Sequence, residues 1–296
     1  MTEQFLNWNP QNGSRYLLEH IDTVLNEYEN MGYRLTLRQL YYQLVSRDII
    51  ANKVSEYNRL GNVVSRGRLA GIIDWSMIED RVRRPVYNTH WDSPSHILNR
   101  AKDSYYRSKW ENQDNYIEVW CEKDAVSNIL EPVCSQYDVL FMANRGYSSQ
   151  TAMYNGYQRF NFADTEGKNI HLFYFGDHDP SGIDMVEDIQ NRLGLFLYGR
   201  GDAFNQITRV ALNMDQILQY SPPENPAKTT DSRYRKYVEK YGEFSWELDA
   251  LEPNVLSKLV KDSILGYCDM DIFNSVVDLE NEHKSLMQQA IDNIKI

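Results

Sequence analysis

The chain has 296 residues, a composition ordinary for a soluble globular protein, 21 tyrosines and a formal net charge of -11. No apolar run approaches the ~18 residues of a membrane span, and the polar start MTEQFLNWNPQ reads as no signal peptide. Three cysteines, Cys121, Cys134 and Cys268, form an odd count without CxxC spacing, which predicts reduced thiols in a cytoplasmic protein and argues against a zinc module.

The length predicts two domains, drawn at 1–110 and 111–296. In the first, Ser14 to Met31 reads as an amphipathic helix (Leu17, Leu18, Ile21, Val24, Leu25, Tyr28) closed by Gly32. Thr36 and Gln39 form a capping box for a second helix, TLRQLYYQLVSRDII. A third helix is expected over roughly Tyr57 to Ile73, carrying Arg59, Arg66 and Arg68, and the run Trp75 to Arg81 could supply a wing strand. Three short helices and a small sheet suggest a winged helix, whose third helix enters the major groove of duplex DNA. Charge agrees with that reading: Arg34 to Arg84 holds ten Lys/Arg against five Asp/Glu, a basic segment on an acidic body.

A helix-rich stretch, Pro94 to Trp110, leads into the second domain. There YIEVWC (Tyr116 to Cys121) predicts a strand ending at Glu122, followed by Lys123 and Asp124. A helix from Ala125 to Tyr137, a strand from Val139 to Met142, and a turn with Ser148 or Ser149 as helix cap come next. The apolar run Ile170 to Phe175 is a buried strand that stops at Gly176, ahead of Asp177 and Asp179. Pro180, Ser181 and Gly182 then start another helix. Alternation of strand and helix predicts an α/β domain with a mostly parallel, Rossmann-like sheet and right-handed crossovers. It puts Glu122, Asp177 and Asp179 on one rim, where ligands of such sheets bind. Carboxylates there suit a hard cation, Mg²⁺ or Mn²⁺. His178 could contact a phosphate or support the carboxylates, or face outward from the turn.

A strand ending in Glu, then one ending in DxD followed by Gly, resembles the Toprim domain of topoisomerases, primases and related nucleases. Its pairing with RQLYY (Arg38 to Tyr42) is similar to the A subunit of type IIB topoisomerases (topoisomerase VI) and to the meiotic double-strand-break transesterases. VLFMANRGYSSQTA, LNMDQILQY with Asp231, and WELDALEPNVLSKLV, in which Glu247 matches an acid of the family, extend the likeness in pieces over Leu35 to Ile264. The chain is shorter than the topoisomerase subunit, and the small stand-alone A-subunit-like proteins of bacteria, phages and plasmids are the nearer match. The resemblance implies that Tyr42 is the nucleophile, Arg38 its neighbour, and Glu122, Asp177 and Asp179 the Mg²⁺ ligands. It further implies cleavage of duplex DNA through a phosphotyrosyl link, in a homodimer whose tyrosine meets the partner's carboxylates. A Toprim hydrolytic nuclease and a DNA-binding accessory subunit, active only with a B-like or other partner protein, are the alternatives.

The segment Ser221 to Gly242 is first proline-rich and then basic and aromatic. Its cations, Arg233, Arg235 and Lys236 among them, interleave with Tyr234, Tyr237 and Tyr241, which suits a nucleic-acid backbone. The same tyrosines share one helical face, as packing residues would.

Overall fold

The computed structural model describes residues 4–78, 88–144, 146–199 and 203–294. The chain opens with three helices, α1 (Asn12–Asn30), α2 (Leu37–Ser46) and α3 (Val54–Leu69). Apolar residues at helical spacing on α1 bury against α2 and α3, and Leu17, Ile21, Leu40, Leu44 and Leu60 are essentially inaccessible in the shared core. Both predicted boundaries hold: Gly32 takes a positive φ of 83° after the end of α1, and Thr36 and Gln39 cap the start of α2 reciprocally. The expected wing strand does not form over its first residues. Trp75–Met77 is a single 3₁₀ turn, Ile78 makes one parallel bridge to Leu35, and residues 79–81 lie outside the described ones. Asp74 is the cause, since its side chain accepts from the Ser76 N–H and winds the chain into a turn.

Helix α4 (Pro94–Asp103) leads to the sheet and lies against the C-terminal helix rather than the N-terminal core. Four strands follow, β1 (Asn115–Cys121), β2 (Leu140–Ala143), β3 (Asn169–Phe175) and β4 (Ile207–Ala211). They form one all-parallel sheet in the order β2-β1-β3-β4. Helix α5 (Ser127–Gln136) connects β1 to β2, α6 (Gln150–Thr165) connects β2 to β3, and α7 (Pro180–Leu197) connects β3 to β4. Ser149 caps α6, as its sequence position suggested.

Beyond β4 come α8 (Met214–Tyr220), α9 (Tyr234–Tyr241), α10 (Pro253–Leu265) and α11 (Met270–Asn293). A two-stranded antiparallel ribbon, β5 (Asn225–Pro226) with β6 (Phe244–Ser245), brackets α9. Alternate side chains of the sheet feed two cores. Trp120, Leu172 and Tyr174 pack with Phe160 of α6 and Ile189 of α7, whereas Val119, Phe173 and Phe175 pack with α5 and α10 on the other side. Burial on both faces explains the near-continuous apolar strands. Chain order reverses between the neighbours β1 and β3, so their carboxyl ends open a crevice, and Glu122 and Asp177 follow those two ends.

No helix among the described residues is long and apolar enough to cross a membrane. Packing of α6 on β1 is close at Gly156, where an added Cβ would stand 2.9 Å from the Trp120 ring. Gly156→Ala should therefore overpack this layer, costing about 1–3 kcal/mol, and chemical denaturation of the variant would measure the loss.

Candidate metal and cleavage site

The site grows from the loop after β3. Gly176 has no room for a side chain, because a Cβ there would stand 2.9 Å from Glu122 Oε2 and 2.7 Å from the Tyr174 ring. Gly182 is tighter still, with a notional Cβ 2.3 Å from the Asp177 carbonyl oxygen. Between these glycines Asp179 caps α7, its Oδ1 accepting from the Gly182 N–H at 2.6 Å and the Ser181 hydroxyl at 3.0 Å. Arg209 of β4 holds the loop from below. Its guanidinium donates to the carbonyls of Gly176 (3.0 Å), Gly182 (2.9 Å) and Asp177.

The carboxylates sort differently from the sequence expectation. Glu122 Oε2 accepts the Asp177 backbone N–H at 3.0 Å and so braces the loop. Asp177 turns toward the segment after β6, where the Leu248 N–H donates to its Oδ1 at 2.8 Å. Glu247 and Asp249 flank that leucine, and the ligand oxygens of Asp177, Glu247 and Asp249 all lie within 4.8 Å of one another. Among the described residues, Asp177, Glu247 and Asp249 form a group that could hold a metal, sharing Asp177 with the expected trio of Glu122, Asp177 and Asp179. Asp249 was missed by the sequence reading, although ELD repeats the carboxylate-x-carboxylate spacing of DHD.

Two cations knit this group together. Lys123 Nζ lies 2.7 Å from Asp177 and 3.2 Å from Asp249, and also contacts Glu247. Arg38, reaching across from α2, lies 2.8 Å from Glu247 and 3.1 Å from Asp249. Burial disfavours the Lys123 charge, yet the three surrounding carboxylates more than offset it and hold the ammonium protonated. Burial raises the carboxyls of Asp177 and Glu122 above their ordinary range. Glu247 is lowered instead, because Lys123 and Arg38 outweigh its burial.

The donor set fits a hard cation: three carboxylates at close range, all oxygen. Asp249 Oδ2 is buried and accepts no hydrogen bond, meeting Arg38 Nε only as an ion pair, so one acceptor is left to satisfy.

Tyr42 stands beside this group. With Arg38, Asp179, Glu247, Lys53 and Lys228 it lines a cavity of about 590 Å³. Its side chain is nearly buried, 5% exposed, and packs edge-on against Tyr41. Burial, then the negative charge of Glu247 and Asp249, push the Tyr42 phenol up to about 12 despite Arg38. Tyr41 lines the same cavity, its hydroxyl donating to Asn52 at 3.0 Å.

His178 does not face outward. It is 2% exposed, its Nδ1 is 2.8 Å from the Tyr237 hydroxyl, and it bridges Trp246 through reciprocal backbone hydrogen bonds. Burial pushes its imidazole down to about 4, so it is neutral at pH 7. Tyr237 and Tyr241 of α9 surround it, so those two tyrosines pack on His178.

The cations expected to bind DNA divide by what they touch. Arg68 donates to the Trp75 and Ile78 carbonyls, and Arg59 pairs with Glu56 and donates to the Gly13 carbonyl. Arg233 pairs with Asp184 and Asp231, and Lys236 lies 3.3 Å from Glu187. Arg66 is exposed over the Trp8 ring, and Arg235 is exposed on α9.

No protein-family model matches this chain, and a search of curated proteins returns no match.

Asp249→Asn should weaken Mn²⁺ binding by roughly tenfold or more, the range seen when groups supporting a metal are changed, with titration calorimetry as the readout. Asp177 must be ionised to act as a ligand, and burial raises its pKa. Mn²⁺ affinity should consequently fall as pH drops, starting above the ordinary carboxylate range; an affinity flat from pH 7 to pH 4.5 would contradict this.

Proposed function

We propose that this protein binds duplex DNA and cleaves it by tyrosine transesterification assisted by Mg²⁺, with Mn²⁺ as substitute, as a Toprim enzyme resembling the A subunit of type IIB topoisomerases. The observation that carries the reading is the cavity shared by Tyr42, Arg38, Asp179 and Glu247. A phenol, a guanidinium and carboxylates in one cleft are the groups that phosphoryl transfer to tyrosine requires.

Tyr42 Oη forms a bond to the scissile phosphorus while the bond from phosphorus to the leaving ribose oxygen breaks. The phenol gives up its proton and the departing ribose oxygen takes one up, so a phosphodiester is exchanged for a phosphotyrosyl diester and the step is reversible. Arg38, whose guanidinium lies 5.9 Å from the Tyr42 ring centre, favours the phenolate and the incoming phosphate. Lys53 and Lys228 at the cavity wall meet the flanking phosphates. Asp177, Glu247 and Asp249 would hold the divalent ion, which when bound supplies charge stabilisation at the phosphate. The chain works in a reducing compartment, the cytoplasm, where Cys121, Cys134 and Cys268 remain thiols.

A second reading is favoured by the burial of Tyr42 and its raised pKa. In it the same carboxylates serve hydrolysis by water, and Tyr42 only packs beside the substrate. Supercoiled plasmid incubated with Mn²⁺ and denatured with and without protease separates the two. Transesterification predicts protein-linked DNA that Tyr42→Phe reduces to background. Hydrolysis predicts free ends and a Tyr42→Phe variant that still cuts, and Asp177→Ala abolishes cleavage either way.

Binding should weaken with salt at a slope of roughly -0.9 per phosphate contacted. Changing both Lys53 and Lys228 to Ala should make that slope shallower by about 2; an unchanged slope would place the phosphates elsewhere.

A further inference from the structure

We propose that α3 reads bases in the major groove of duplex DNA, the side-chain amides of Asn58 and Asn62 selecting adenine in two neighbouring base pairs. The inference rests on the DNA-binding reading above and adds to it a sequence preference and the two residues that set it.

Helix α3 has two unlike faces. Leu60, Val63 and Val64 are buried in the core shared with α1 and α2, and a Cβ at Gly67 would stand 2.9 Å from Ile73 and 3.2 Å from Leu18. At about 100° per residue, Asn58, Asn62 and Ser65 fall on the opposite side, and all three are exposed. Arg59 and Arg66 border them along one flank, also exposed. Glu56 is the only acid of the helix, and it pairs with Arg59 at 3.0 Å. Asparagine is a weak helix former because its amide competes for backbone partners. Among the described residues neither the Asn58 nor the Asn62 amide has a partner that would offset this. A face with uncharged amides at its centre and cations at its edge matches what a duplex offers, bases in the groove and phosphates along its rim.

The face is continuous with the cavity at Tyr42. Lys53, Val54 and Tyr57, at the start of α3, line that cavity. The Tyr57 ring packs edge-on against Tyr41 with centroids 5.3 Å apart, and the Tyr41 hydroxyl donates to the Lys53 carbonyl at 3.3 Å. The start of α3 is thus fixed to the helix that carries Tyr42, and a duplex with a phosphate in the cavity runs past the exposed face. The major groove, about 12 Å wide, admits a helix. Each asparagine presents one acceptor and two donors, the complement of N7 and N6 of adenine. One helical turn, about 5.4 Å, separates Asn58 from Asn62, so at about 3.4 Å per base step the two adenines lie within about three base pairs of each other. Arg66, at the flank, meets a phosphate and carries no base preference.

The test retains duplexes with a randomised segment on the full-length protein, without divalent ion, and sequences the retained DNA. The wild-type protein should enrich adenine at two positions within about three base pairs. Asn58→Ala and Asn62→Ala should each lose about fivefold or more of the discrimination at one of those positions and keep it at the other, with the salt dependence of binding unchanged. Alanine is the better helix former, so both variants keep the helix. Arg66→Ala should weaken every sequence alike and make the salt slope shallower by about 1, leaving the preference intact. Retention by the wild-type protein with no enriched base overturns the proposal and leaves DNA binding standing. An enriched sequence that both asparagine variants still prefer, or a loss in those variants that is equal for all sequences, overturns it as well. If the wild-type protein retains no duplex at all, the DNA-binding reading falls and the inference falls with it, an outcome distinct from the others.

Discussion

Burying charge sets the constraint on which this molecule depends. Lys123 follows the central strand β1 and is encircled by Asp177, Glu247 and Asp249, which arrive from two separate segments. Removing four ionised groups from water is costly unless each meets an opposite charge or a donor. The Leu248 N–H on Asp177 and the Arg38 guanidinium on Glu247 and Asp249 meet that requirement. Any divalent ion entering the group competes with an ammonium already there. Its affinity is thus a difference between two electrostatic arrangements.

The segment from Asn225 to Ala250 ties the rest to that cluster. Its ribbon, β5 with β6, delivers Glu247 and Asp249, and its Trp246 backbone bridges His178 inside the loop that carries Asp177. The neutral imidazole of His178 is seated among Tyr237, Tyr241 and Trp246. A buried neutral group serves here because a further positive charge would lie next to Arg209, which already holds the same loop by its carbonyls. The loop is thus fixed by backbone contacts from both sides, leaving Asp179 to line the cavity and Asp177 to meet Lys123 and the Leu248 N–H.

Much of this architecture is legible in the sequence, for physical reasons that differ from element to element. The helix α1 and the cap of α2 follow from apolar spacing and from Thr36 and Gln39, both local signals. Strands β1 and β3 announce themselves as apolar runs because helices cover both faces of the sheet. Glu122 and Asp177 were placed at the crevice by strand order alone. What local signals cannot give is partner choice across distance. Asp249 lies 72 residues after Asp177, and only the ribbon brings them together. Arg209, on β4, reads as an ordinary surface cation until its carbonyl partners are seen. The arginines of α3 show the converse: a basic segment was evident, but Arg68 is used to hold the turn at Ile78.

The pairing of Arg38 with Glu247 and Asp249 also bears on how the two halves of the chain can change. The N-terminal helices donate a counter-ion to an acidic group that belongs to the sheet domain. A helical unit grafted from elsewhere would fill the space but leave Asp249, whose side chain is 0% exposed, with one cation fewer. Stability of the sheet domain is in that sense lent by its neighbour, and the halves are not interchangeable parts. A substitution at position 38 therefore alters the electrostatics at 247 and 249, across an interface that apolar packing alone would have left indifferent to it.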